Sequence, residues 1–362
     1  MHKYLRISLV LLTVIIVIPK LKAKPVKYSN AFMDIGVGAQ NLAMGNAVIA
    51  GTSDLSAGYW NPAGLVHLQQ TAQVGFMHSE YFAGVAKYDW LGGAFSLDSG
   101  KQAIGINIIR FAVDDIPNTI DLIEPDGTIN YDNIRSFSVG DYGFLLSYSR
   151  KIRSNLSVGG TAKIIYHKAG GFAKAFGFGI DLGAQYQLKD FKFGLAIRDI
   201  TSTFNAWSFS FSERDKEVFQ ITGNEIPSNS LEITTPKILI GAGYYKKFKK
   251  FEVNTELALD VTTDGKRNVL LPAKPFSFDP HLGVELGYAS IVYVRAGISN
   301  IQKELSADNQ DRKITAQPNI GVGLRFKTIA IDYAFTDVGS KETSTFSHVI
   351  SAKIGFNKKN KD

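Results

Sequence analysis

The strongest constraint in this chain is an alternation that runs from Leu156 to Leu188. Leu156, Val158, Gly160, Ala162, Ile164 and Tyr166 alternate with Ser157, Gly159, Thr161, Lys163, Ile165 and His167. After a break at Gly170-Gly171 the pattern resumes, with Phe176, Phe178, Ile180, Leu182, Ala184, Tyr186 and Leu188 set against Ala175, Gly177, Gly179, Asp181, Gly183, Gln185 and Gln187. A period of two places successive side chains on opposite faces of a strand. One face is apolar and aromatic; the other carries glycine, amide and charge. Strands of soluble sandwiches usually stop at about 5–6 residues. These run to roughly a dozen, the length that crosses a bilayer when tilted. The pattern predicts a membrane-barrel hairpin with its apolar face toward lipid.

Composition agrees. A chain of 362 residues holds two soluble domains or one large barrel, and 34 glycines beside 12% aromatics suit a wall of alternating small and bulky side chains. A mean hydropathy of -0.01, with no apolar run past the N-terminus, excludes a helical membrane protein. The absence of cysteine fits an oxidising compartment met without disulfides, and fits many cytosolic chains as well. Lys3 and Arg6 precede the apolar run Ile7 to Ile18, which is too short for a spanning helix, and Leu21-Lys22-Ala23 is an imperfect cleavage site. Residues 1–23 therefore read as a signal peptide. Its loss removes Lys3, Arg6, Lys20 and Lys22 and no acidic residue, taking the formal net charge from +7 to +3. The remaining basic residues are spread over turns and strand faces, which argues against nucleic acid as a partner.

Residues 24–70 do not read as part of the strand array. Small residues dominate there, and Asn61 before Pro62 suggests a helix start, with asparagine as cap and proline in the first position. The segment is expected to plug the barrel, a turn before the first strand being the alternative. The barrel itself is expected over 71–357, with fourteen strands near 71–79, 86–97, 102–113, 138–150, 155–168, 174–188, 191–200, 236–247, 250–261, 280–289, 291–300, 317–326, 328–336 and 346–356. Tight turns such as Lys189-Asp190 and Ala289-Ser290 alternate with longer connections at 114–137, 201–235, 262–279 and 301–316. Short periplasmic turns and long external loops mark outer-membrane barrels, and an even strand number predicts both chain ends on the periplasmic side. The last strand alternates through Phe346, His348, Ile350, Ala352, Ile354 and Phe356, before a polar tail at 358–362.

No catalytic constellation is visible. The six histidines show no pair at ligand spacing, and neither a nucleophile elbow nor a phosphate loop occurs, so no cofactor, metal or enzymatic activity is expected. Glu252, Glu256 and Asp260 share one strand face; an acid site is conceivable, but a balance against lumenal Lys163, Lys192 and Arg198 is the simpler reading. A polar lumen of this kind, with Asp181 and Gln185, counts against a greasy tunnel. In loop 201–235 the aromatics Phe204, Trp207 and Phe209 suit either an interfacial girdle or an external partner-binding surface.

Gly36-Val-Gly38-Ala39, Ala43-Met44-Gly45 and Asp54, followed by Tyr59-Trp60-Asn61-Pro62-Ala63-Gly64-Leu65, resemble the N-terminal signature of the PorV/PorQ family. That family lies within the wider class of barrels resembling the fatty acid transporter FadL. Arg198-Asp199-Ile200-Thr201 with Trp207, Gly283-Val-Glu285, Arg295-Ala296-Gly297, Gly321-Val-Gly323-Leu324 and Ile331-Asp332-Tyr333-Ala334 extend the likeness over nearly the whole mature chain. The resemblance implies a fourteen-strand barrel in the outer membrane of a Bacteroidota-like bacterium. It also implies a non-enzymatic role in type IX secretion, binding secretion subunits or the C-terminal domains of cargo. The alternative is a FadL-like transporter of hydrophobic small molecules, and a third reading is a structural outer-membrane protein. An apolar pocket with a gap in the wall favours transport; a sealed lumen under a broad external aromatic surface favours the shuttle.

Overall fold

A computed structural model describes residues 29–82, 84–124, 126–263, 268–273, 275–305, 312–337 and 346–357. The expected leader (1–23) and tail (358–362) lie outside the described residues, as does the 24–28 start of the plug segment. In chain order the strands are β1 (Ala72–Tyr81), β2 (Ala86–Leu97), β3 (Gln102–Asn118), β4 (Arg135–Arg153), β5 (Leu156–Ala169), β6 (Ala173–Leu188), β7 (Phe191–Arg198), β8 (Phe204–Phe209), β9 (Ser230–Ile233), β10 (Lys237–Phe248), β11 (Phe251–Thr262), β12 (Leu271–Ala273), β13 (Phe276–Tyr288), β14 (Val292–Leu305), β15 (Arg312–Phe326), β16 (Ile329–Asp337) and β17 (Phe346–Phe356). Fourteen of them form an antiparallel ring: β1 to β7, β10, β11 and β13 to β17. It closes where β17 pairs with β1, from Ala72 opposite Phe356 to Glu80 opposite His348. The other three extend the wall at the long-loop rim, β8 along β6, β9 along β8 and β12 along β13.

The alternation read from the sequence is the alternation of the wall. Phe176, Phe178 and Leu182 are 56%, 41% and 43% exposed on the outer face, while Lys163, Asp181 and Gln185 are buried on the inner one. The chain is thus a transmembrane β-barrel with an apolar outer belt. Several strands run beyond their expected ends at the long-loop rim, β3 to Asn118 and β15 from Arg312. Register shifts between Val113 and Ile116 and between Ser299 and Gln302 break the period of two while pairing resumes beyond them. Such bulges hide the continuation from a reading of the pattern.

Residues 29–71 fill the lumen through two short helices (Ala39–Ala43 and Ala57–Trp60) and two 3-10 turns (Ala31–Asp34 and Pro62–His67). The apolar core lies between this segment and the inner face of the wall: Val37, Ala39, Leu55 and Leu65 of the plug and Tyr88, Ile109 and Ile165 of the strands are wholly buried. Inward glycines let the plug backbone touch the wall. A Cβ at Gly159 would stand 2.6 Å from the Pro62 carbonyl carbon and one at Gly283 2.5 Å from the Met44 carbonyl oxygen, while Gly297, paired with Gly283, has the Met44–Gly45 peptide directly against it.

At the short-turn rim, an ion pair and hydrogen bonds tie the plug to the closing strands. The Lys353 ammonium lies 2.6 Å from the Asp54 carboxylate, and Gln40 Oε1 accepts from both Lys353 (3.0 Å) and Arg325 (2.9 Å). Burial raises the Asp54 pKa, but Lys353 and hydrogen bonds from Ser56 outweigh it and hold the carboxyl at about 2. Its contribution is complete above the ordinary value of 3.8 and is lost as pH falls through about 2, so acidification from pH 7 to 5 leaves the tie intact. Asp54→Asn is expected to loosen it by ~1–3 kcal/mol throughout that range. The readout is hydrogen exchange at the amides of residues 53–60, faster by about tenfold, whereas an unchanged rate would remove Asp54 from the anchorage.

The barrel strands do begin and end at the short-turn rim. The described chain, however, starts high in the lumen: Asn30 hydrogen-bonds to Thr234 (2.8 Å), His167 (3.1 Å) and Asn205 (2.9 Å), close to the long loops. The expectation that strand parity places both chain ends below therefore holds for the barrel but not for the start of the described plug. Parity fixes strands alone, and the plug is long enough to cross the lumen.

Candidate functional site

The strand ladder is interrupted beside the plug, where the Ile200 amide still donates to the Ile180 carbonyl at 2.9 Å. Leu182 of β6 pairs with Ile197 of β7, and Phe178 pairs with Phe204 of β8, so the three residues 179–181 face the six residues 198–203. The surplus backbone folds into a bulge with positive φ at Asp199 (54°) and Ser202 (57°). Charge holds this shape: buried Lys163 lies 2.8 Å from Asp181 and 2.6 Å from Asp199, while Asp181 accepts the Asp199 amide at 2.7 Å and Thr203 donates to Asp199. Next to it, the Arg198 guanidinium donates to the Tyr59 carbonyl (3.2 Å) and lies 4.5 Å from the Tyr59 ring centroid. A cavity of about 20 Å³ remains between the bulge and the plug, room for about one water.

This pairing corrects the expected charge balance at Lys163, while Glu256 and Asp260 do act on Lys192 and Arg198. Lys163 is matched by Asp181 and Asp199 rather than by the carboxylates of β11. Of those, Asp260 takes Lys237 (3.2 Å), Glu252 takes Lys247 (2.8 Å), and Glu256 accepts the Ala50 amide (2.6 Å). Partners come from neighbouring strands and from the plug, because a side chain cannot reach across an occupied lumen.

The Trp60-Asn61-Pro62-Ala63-Gly64-Leu65 motif sits at the level of this interruption. Trp60 donates its indole N–H to the Val37 carbonyl (2.9 Å) and closes the plug on itself. The Asn61 amide nitrogen lies within hydrogen-bonding distance of the Ile49 carbonyl (2.9 Å) inside the plug and of the Ala184 carbonyl (3.1 Å) on β6, and its oxygen accepts the Ala63 amide (3.2 Å) as the cap of the Pro62–His67 turn. Ala63 and Leu65 are fully buried, and Gly64 passes so close to the Thr52 carbonyl that no larger residue fits. Asn61→Ala is expected to cost ~1–3 kcal/mol, since buried carbonyls lose their donor. The change should appear as a lower urea midpoint in lipid vesicles, and an unshifted midpoint would contradict the role.

Above the plug, the aromatics of the 201–235 segment are sorted by face. Thr203, Asn205, Trp207 and Phe209 point inward; Phe204 points outward and is 42% exposed. Phe204, Trp207 and Phe209 therefore do not share a surface, and Trp207 is no interfacial girdle residue. Its ring stacks on His167 (centroids 5.4 Å) and on Phe209 (6.0 Å); Phe209 stacks on Phe211 (6.0 Å), and Phe211 meets Phe219 of the helix Glu213–Ile221 edge-on (5.2 Å). His167 in turn meets Phe32 of the plug (5.8 Å). The result is a run of aromatic rings from the long-loop rim to the plug.

Two apolar cavities flank that run. The outer one, about 800 Å³, is bounded by the loop after β3 and by the helix, with Ile120, Ile123, Phe137, Phe172, Phe211 and Phe219 among its lining. The inner one, about 480 Å³, includes Phe32, Ile35, Phe82, Phe111 and Trp207. The polar lumenal residues are real but stand against the plug and the bulge, so they do not exclude an apolar space above. Phe32, Phe137, Phe172, Phe211 and Phe219 escaped the sequence reading. Phe211 alone carried a signal, continuing the Trp207, Phe209 spacing of two.

No protein-family model matches the sequence, and a search of curated proteins finds no relative. Solved structures do match. The toluene transporter TodX of Pseudomonas putida superposes with a TM-score of 0.56 at 15% identity, over 89% of this chain and 99% of that one. The Ralstonia pickettii toluene transporter TbuX gives 0.54 at 15% over 89% and 99%, and the monoaromatic hydrocarbon channel CymD gives 0.55 at 15% over 90% and 98%. At such identity the likeness is one of fold, and it extends over almost the whole of each chain.

Proposed function

We propose that the protein is an outer-membrane transporter of hydrophobic small molecules. The observation that carries this reading is the run of aromatic rings linking an apolar cavity under the long loops to a second one at the plug, beside a bulge that breaks the strand ladder. A solute leaves water for the outer cavity, where burial is favourable by roughly 25 cal/mol per Å² of apolar surface. It passes along the Phe211–Phe209–Trp207 face to the inner cavity. The plug blocks the straight path, so release runs past its edge at the 198–203 bulge. The three solved neighbours are described as toluene transporters or hydrocarbon channels, in keeping with this reading.

The secretion-shuttle reading implied by the PorV/PorQ resemblance ranks below it. Its docking surface was expected on Phe204, Trp207 and Phe209, but Trp207 lines the inner cavity and Phe209 stacks between Trp207 and Phe211, which leaves only Phe204 on the outer face. Uptake by whole cells tests the choice. Expression of the protein should raise the entry rate of a radiolabelled alkylbenzene, and Phe211→Asp, which places a charge in the outer cavity, should lower it by at least about tenfold. An entry rate independent of expression, together with recovery of secretion subunits in a pull-down, would reverse the order of the two readings.

A further inference from the structure

Charge is sorted between the two ends of the barrel. Residues 114–134, at the first of the long connections, hold six acidic residues and no lysine or arginine. The short turns are the reverse. Three that follow one another around the rim join β4 to β5, β6 to β7 and β10 to β11, and at or beside them stand Arg150, Lys151, Arg153, Lys189, Lys249 and Lys250. The carboxylates of this arc are already taken: Asp190 pairs with Lys246, and Glu252 lies 2.8 Å from Lys247. Among the described residues the six cations have no ion-pair partner, and all but Lys151 are exposed. The backbone also accommodates the charge at a cost. Lys189 and Lys249 both hold a φ of 54°, and Lys327 in the β15–β16 turn holds 53°. Left-handed positions in tight turns favour glycine or asparagine, so three turns keep an ammonium where local geometry asks for a small uncharged residue.

The outer face beside the arc fixes its depth. Tyr148, Tyr186, Phe191, Phe248, Phe251 and Tyr288 are exposed there, with Phe191 against Tyr244 and Phe251 against Tyr288, each at 5.2 Å between ring centroids. Aromatic girdles of this kind mark the boundary between hydrocarbon and water. Arg150 lies two residues beyond Tyr148 on the same face, and Lys249 and Lys250 lie between Phe248 and Phe251, so the cations stand at headgroup level. We infer that this arc docks the phosphates of anionic phospholipids in the leaflet at the short-turn rim. A guanidinium fork matches two phosphate oxygens and an ammonium meets one as a point charge. A zwitterionic headgroup brings its own cation to the same phosphate, so a net negative lipid is preferred. The contact holds the barrel at a fixed height and offsets the repulsion among the arc's cations.

Spin-labelled lipids read the contact directly. The full-length protein in phosphatidylcholine vesicles receives a trace of spin-labelled phosphatidylglycerol or phosphatidylcholine, and electron spin resonance measures the fraction immobilised at the wall. At about 0.02 M salt phosphatidylglycerol should be held at least about threefold more strongly; near about 1 M salt, where the screening length is about 3 Å, the two lipids should become equal. Combining Arg150→Gln, Arg153→Gln, Lys249→Gln and Lys250→Gln should remove the preference. Lys168→Gln with Lys174→Gln, a pair exposed at the opposite rim, should keep it. Should the fourfold variant fail to fold, the salt titration of the unaltered chain decides alone. Equal retention of both lipids at low salt, or a preference that survives high salt or the fourfold change, overturns the inference. So does a preference abolished by millimolar inorganic phosphate at constant ionic strength, which makes the arc a site for free anions. The transport reading stands in each case.

Discussion

Replacing Lys163 with methionine is expected to destabilise the barrel by ~3–5 kcal/mol, the cost of leaving buried carboxylates without their cation. Asp181 and Asp199 are both pinned by that one ammonium, at 2.8 and 2.6 Å, in a region where the β6–β7 ladder has already given way. The loss should be local before it is global. Hydrogen exchange at 198–203 should accelerate ahead of any change in β1 to β5, and the urea midpoint in vesicles should fall without a change in slope. The double replacement of Asp181 and Asp199 by Asn in the Lys163→Met background should recover part of the loss, because it removes the orphaned charges. If the single and triple variants are equally unstable, the ionic account of the bulge is wrong.

Gly297→Leu should have the second large effect, on the plug rather than the wall. Its side chain would enter the volume of the Met44–Gly45 peptide, and Gly283 on the paired strand leaves no slack beside it, so the plug must move. Overpacking of this kind costs ~1–3 kcal/mol when side chains can shift and more when the obstacle is backbone. In planar bilayers the wild-type barrel should pass little current, and the variant should show open channels at least about tenfold larger. Heat-modifiable mobility in gels would verify that the barrel itself persists. A folded variant with wild-type conductance would mean that the glycine cradle does not hold the seal.

The legible part of this fold was the part governed by a period of two. Each expected strand lies on a strand of the ring, since lipid outside and a polar interior impose opposite chemistry on alternate residues along its length. Asn61-Pro62 was legible for another reason: a cap and a first-turn proline are local chemistry, and both occupy those positions. The site was less so. Phe204, Trp207 and Phe209 read as one aromatic cluster because proximity in sequence was given more weight than parity, yet 204 and 207 differ by an odd number and face opposite ways. The Lys163–Asp199 pair joins β5 to a bulge, and no local pattern announces a bulge. Phe32 and Phe219 belong to a plug turn and a loop helix, whose positions depend on how the chain packs within and above the ring.

The apolar cavities above the plug are the centre of this account, and heavy-atom crystallography addresses them most directly. Crystals soaked with iodobenzene should give anomalous peaks among Phe172, Phe211 and Phe219 and beside Trp207, with occupancy falling in the Phe211→Asp variant. Peaks confined to the outer apolar belt around Phe176 and Leu182, with none inside the barrel, would contradict it.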